Sequence, residues 1–134
     1  MTLVEVIDGD TVVIDFAGTT DTVRLIGVDT PETRDPRRGP ECFGVEATEF
    51  VEGLLPPGTA VEVSRDTEAR DTYGRLLGYL TRADDGLFVN LALLEGGYAE
   101  PLSIEPNRTH ASTFSAAAAT ARAGGIGMWA TCDG

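Results

Sequence analysis

Leu3-Val4-Glu5-Val6-Ile7-Asp8-Gly9-Asp10-Thr11-Val12-Val13-Ile14-Asp15-Phe16 sets two β-branched runs on either side of an Asp-Gly-Asp turn signal. Ala17-Gly18-Thr19-Thr20 supplies the next turn, and Thr22-Val23-Arg24-Leu25-Ile26-Gly27-Val28 a third run. Short turns between consecutive strands make antiparallel neighbours, so residues 3–28 predict a β-meander.

Beyond it, Thr30 to Glu41 is rich in proline and charge and predicts an exposed loop. A helix fits Phe43 to Leu55, with Ala47, Phe50, Val51, Leu54 and Leu55 at helical spacing and Pro56-Pro57-Gly58 as its stop. Thr59 to Ser64 and Leu76 to Thr81 predict two further strands, separated by a charged loop from Arg65 to Tyr73. Val89 to Glu95 and Ala111 to Ala123 predict helices, each closed by a Gly-Gly pair. The expected class is α+β, a five-stranded OB-fold-like β-barrel with three α-helices. One domain is expected across residues 1–134, with a core over about 3–129 and a tail over 130–134.

Asp plus Glu total 22 against 10 basic residues, all of them Arg, for a net charge of −12. That balance opposes binding to a polyanion by counterion release. One reading is adaptation to strong salt, where the Debye length shrinks to roughly 3 Å at 1 M and acidic surfaces stay soluble. The alternative is an acidic secreted protein from a mesophile. No apolar run is long enough to span a bilayer, and no leader pattern opens the chain. The two cysteines, Cys42 and Cys132, lie too far apart for a zinc or redox motif. Either they bridge and tie down the C-terminal tail, or they are two buried thiols. A bridge implies an oxidising compartment, outside the cell or at its surface.

Asp10 follows the first turn, and Asp29 and Glu32 follow the third strand. In a meander the start of strand two and the end of strand three lie side by side. Carboxylates gathered there repel unless a cation sits between them, and a hard ion with oxygen ligands, Ca²⁺ foremost, suits them. Arg24 sits inside an apolar strand and needs an anionic partner; Arg75 opens the fifth strand at the same end. Two guanidiniums beside a metal are what phosphoryl transfer requires, with a further carboxylate free to orient or deprotonate water. Taken singly, each acid also reads as a turn or loop-entry residue.

Ile7-Asp8-Gly9-Asp10-Thr11, Arg24-Leu25-Ile26-Gly27-Val28-Asp29-Thr30-Pro31-Glu32-Thr33 and Asp71-Thr72-Tyr73-Gly74-Arg75 together resemble the signature blocks of the staphylococcal nuclease family. Pro106-Asn107-Arg108-Thr109-His110 is similar to the family's entry to its last helix, and the resemblance runs from Leu3 to Trp129. It implies Ca²⁺ held by Asp10, Asp29 and the Thr30 carbonyl. It also implies Glu32 acting on the attacking water, and Arg24 and Arg75 clamping the scissile phosphate. Tyr73 would touch a terminal phosphate, and Asp8 would lie beside the metal, with a turn role as its alternative. The implied reaction hydrolyses DNA and RNA, single strands favoured, to 3′-phosphate and 5′-hydroxyl ends, and a monomer is expected. Thr72, Leu102 and Ile104 depart from the pattern, where the family's best-known member places a lysine and two tyrosines.

A non-catalytic nucleic-acid or protein-binding module on the same barrel is the competing reading, and the full set of acids and arginines speaks against it. Asp29-Thr30 without a second such block speaks against an aspartic protease. His110, the one histidine, is expected to be structural; Tyr79, Tyr98 and Trp129 are expected in the core; Arg37-Arg38 is weighed as a nucleic-acid contact or a solvated pair.

Overall fold

A computed structural model of the chain describes residues 1–33, 39 and 41–132. Arg37, Arg38 and the last two residues of the tail lie outside them.

Strand β1 (Thr2–Asp8) pairs antiparallel with β2 (Thr11–Phe16), and β2 with β3 (Thr19–Leu25). Asp8 faces Thr11 and Phe16 faces Thr19, leaving two-residue turns at Gly9-Asp10 and Ala17-Gly18. Ala17 and Gly18 both take positive φ, 54° and 88°, the geometry that matches the twist of a tight hairpin. Strands β5 (Val61–Ser64) and β6 (Leu76–Arg82) are antiparallel, and β6 lies parallel to β3. The sheet order is therefore β1-β2-β3-β6-β5. A single bridge between Thr2 and Ala60 joins the two edge strands, so the sheet curls toward closure without a continuous ladder there. This is the predicted α+β, OB-fold-like arrangement.

The third strand ends earlier than its apolar run suggests. Gly27 takes φ of 81°, and a Cβ there would fall within 2.5 Å of the Phe114 ring. The chain turns out of the main sheet at that point. Strand β4 (Gly27–Asp29) then pairs with β7 (Glu100–Leu102) in a separate two-stranded sheet. Buried Asn90 covers the break: its Nδ2 donates to Ile26 O at 2.9 Å and its Oδ1 accepts from Leu80 N–H at 2.9 Å.

Helices α1 (Gly44–Leu54), α2 (Val89–Glu95) and α3 (Ala111–Ala123) occupy the predicted segments. The four-residue α4 (Met128–Thr131) is additional, formed where Gly124-Gly125 reads as a plain terminator. The core gathers Val12 and Ile14 of β2, Val23 and Leu25 of β3, Val51 of α1, Leu93 and Leu94 of α2 and Phe114 of α3. Full burial of such side chains contributes about 1.5–3 kcal/mol each. Along β3 the two-residue period buries Val23 and Leu25 and leaves Arg24 on the opposite face. Among the described residues no helix is long and apolar enough to cross a membrane.

Candidate active site

Register brings the first turn and the end of β3 together. Thr11 lies opposite Arg24, and Leu25 N–H donates to Asp10 O at 2.8 Å. Asp10 is buried; its Oδ1 accepts from Thr11 Oγ1 at 2.9 Å and its Oδ2 from Thr30 N–H at 3.1 Å. Gly9 permits the approach, since a Cβ there would lie 2.7 Å from the Thr30 side chain. Arg24 Nη1 donates to Leu25 O at 2.5 Å and to Val28 O at 2.8 Å. Its Nη2 lies 3.4 Å from Asp10 Oδ2 and 3.8 Å from Asp29 Oδ1. Backbone carbonyls thus fix one edge of the planar guanidinium and aim the other at two carboxylates.

The parallel register of Val23 with Leu76 carries Arg75 to the same end of the sheet. Asp71 shapes the turn before it, accepting from the N–H groups of Tyr73 at 3.0 Å and Arg75 at 2.9 Å, and from Arg75 Nε at 2.8 Å. The Arg75 guanidinium stands 5.5 Å over the Tyr73 ring. Across the opening, Glu32 N–H donates to Glu41 Oε1 at 2.7 Å, and Glu41 N–H returns to Glu32 O at 2.7 Å. The next residue, Cys42, is bonded to Cys132, which ties this wall to the end of α4.

One cleft of about 890 Å³ is lined by Asp8, Asp10, Arg24, Asp29, Thr30, Glu32, Arg75 and both cysteines. Tyr73 stands apart, 84% exposed, on a second hollow of about 360 Å³ that shares Arg24 and Arg75 and takes in Thr72, Leu102 and Ile104. Glu41, Glu100, Arg122, Met128 and Trp129 line the cleft without being legible as site residues along the chain. Glu100 arrives by pairing with Asp29 across β4 and β7, and no local pattern announces that pairing. Trp129, expected in the core, is instead half-buried in the cleft wall. His110 packs among Tyr79, Phe88 and Phe114, with ring centroids 4.5, 5.3 and 5.6 Å away, outside the cleft.

Burial, followed by hydrogen bonding and repulsion from Asp10, pushes the Asp8 carboxyl up to about 7. Asp8 Oδ1 also accepts from Asp10 N–H at 3.2 Å. Asp29 is raised as well, by burial and then by the Asp10 charge, which together outweigh nearby Arg24. Such crowding favours an added cation. Among the described residues no three carboxylate, imidazole or thiol groups converge into a ready-made cage. Thr30 Oγ1, beside Asp10, is buried without a hydrogen-bond partner among them. The donor set is all oxygen, and a hard divalent ion that keeps several waters fits it.

Residues 22–131 match the model of the staphylococcal nuclease homologue family. The endonuclease YhcR of Bacillus subtilis is 37% identical over 133 residues, covering 92% of this chain and 11% of its own length. The thermonuclease of Staphylococcus intermedius is 36% identical, with 92% of this chain and 72% of the relative covered. For the thermonuclease of Staphylococcus hyicus the identity is 35%, with 78% and 60% covered. The chain thus spans a small part of YhcR and somewhat under two thirds of the last relative. Taken with the hairpin, the clamped Arg24 and the acidic cleft, these matches make the chain a member of the staphylococcal nuclease family.

Proposed function

We propose that the chain is a calcium-dependent phosphodiesterase that cleaves DNA and RNA, leaving 3′-phosphate and 5′-hydroxyl ends. The observation that carries this is the convergence, in one cleft, of Asp10 and Asp29 with the guanidiniums of Arg24 and Arg75. Asp10, Asp29 and the Thr30 carbonyl would hold Ca²⁺, and the ion would neutralise charge on a phosphate beside it. Arg24 meets the phosphate already oriented by two carbonyls, so little reorganisation is needed as charge grows on the phosphoryl oxygens. Arg75, set by Asp71, approaches from the second wall and assists the leaving oxygen. Glu32 positions the attacking water and takes its proton, while Tyr73 meets a terminal phosphate at the neighbouring hollow. Aliphatic Leu102 and Ile104 face the bases there, where stacking would otherwise add about 1–3 kcal/mol per base.

The chain is proposed to work as a monomeric single domain, on single strands in preference to duplex, and in an oxidising compartment outside the cytoplasm. The Cys42–Cys132 bond supports the last point. Digestion of single-stranded DNA with Ca²⁺ titrated against a chelator tests the reading: activity vanishes with the free ion. Undiminished digestion in excess chelator sinks it.

A further inference from the structure

Arg122 is the outlier among the cleft's cations. It lies in the last turn of α3, exposed, and lines the same cleft as Asp10 and Arg24. Its guanidinium stands 5.0 Å over the Trp129 ring, and no carboxylate pairs with it among the described residues. Arg24, Arg70, Arg75, Arg82 and Arg108 each face an acid. Arg65, which does not, is not a cleft residue. In a chain with 22 acids and 10 arginines, a cleft cation that no acid among the described residues pairs with is conspicuous.

The pairing difference has a chemical consequence. An oxyanion reaching Arg24 or Arg75 competes with a carboxylate already in place, whereas one reaching Arg122 displaces no carboxylate of the described residues. The indole orients the planar guanidinium and leaves its N–H edge for a bidentate phosphate contact. The helix C-terminus favours the cation at this position even before ligand arrives. Resting on the nuclease reading above, we infer that Arg122 binds a phosphate of the substrate strand away from the scissile one. The cleft then acts as a path for an extended strand, entering or leaving over α3 and the Trp129 wall.

The test compares Arg122→Gln and Arg122→Lys with the unaltered protein, on a twelve-residue oligothymidylate and on a thymidine dinucleotide. In Arg122→Gln, KM for the long strand rises several-fold, kcat holds, and the dinucleotide is cleaved as before. The slope of log(1/KM) against log[salt] for the long strand becomes shallower by about 0.7, one phosphate's worth on a single strand. Arg122→Lys restores the slope. Unchanged KM and slope in Arg122→Gln overturn the inference, and so does an equal loss on both substrates. Trp129 is the only tryptophan, so its fluorescence gives a readout independent of turnover. Titrated with the same oligomers in chelator, it should change with the long strand only, and the change should disappear in Arg122→Gln. No change in the unaltered protein overturns the inference. If neither substrate is cleaved, the nuclease reading fails, and the fluorescence arm still decides what Arg122 binds.

Discussion

Two carboxylate environments in this molecule are opposites. At the cleft, Asp8 and Asp29 are crowded by burial and by the Asp10 charge, and both are pushed above the usual range. Outside the cleft, burial also opposes ionisation of Asp66, yet Tyr79 Oη and the N–H groups of Thr109 and Thr67 hold it well below that range. Tyr79 responds in kind, its phenol pushed well above its ordinary range by burial and then by the Asp66 hydrogen bond. The Asp66 staple has donors enough for its acid and reads as architecture. The cleft has acids in excess of donors, the imbalance expected where a ligand completes the site.

The largest effect should come from removing a cleft cation. Arg75→Ala lowers kcat by about 10²–10³ with melting temperature nearly unchanged, the scale of losing one preorganised donor; steady-state kinetics beside calorimetry checks it. A loss of stability without loss of turnover would move Arg75 to the architectural side of the comparison. Cys132→Ser frees the Cys42 wall from α4 and should cost about 2–5 kcal/mol in denaturant unfolding. Its kcat should fall too, because Glu32 is hydrogen-bonded to the backbone and the carboxylate of Glu41 on that wall.

Smaller effects sharpen the contrast. Asp8→Asn should stabilise the calcium-free protein at pH 8 by about 1–2 kcal/mol, discounted from full linkage because Asp8 is half-exposed. With a folded pKa near 7 against 3.8 in the reference state, the ionised carboxyl costs stability progressively above pH 4. The gain from Asn therefore grows over pH 4–7 and then levels off, which chelator-treated melts at several pH values measure. Tyr79→Phe should cost about 1 kcal/mol at pH 7 and leave turnover alone. Because the folded pKa of Asp66 is depressed, that cost is present above the ordinary carboxylate range and fades as acid protonates Asp66. A Tyr79→Phe effect that persisted in strong acid would break the comparison.

The β1–β3 meander was legible because it is local: β-branched alternation, two tight turns, and an arginine on the polar phase of an apolar strand. From it the proximity of Asp10, Arg24 and Asp29 follows directly. Arg75 was less so, since its place depends on β6 lying parallel to β3 across 50 residues of chain. The break at Gly27 was hidden because Ile26-Gly27-Val28 continues an apolar run, and the collision that forbids a side chain there comes from Phe114 in α3. Glu100, Arg122 and Trp129 reach the cleft through β7 and the α3–α4 corner, where placement is tertiary and leaves no periodic trace. Pairing of Cys42 with Cys132, open on spacing alone, was resolved by the meeting of the Glu41 loop with α4.

That bond closes a covalent ring around 90 positions of chain, with β1 to β4 lying outside the ring. A single protease nick inside the ring, whether at the Arg65–Tyr73 loop or beyond β7, cannot release either piece. The severed segments stay tethered through sulfur at the very wall they must rebuild, so a nicked molecule keeps all its parts within reach of one another.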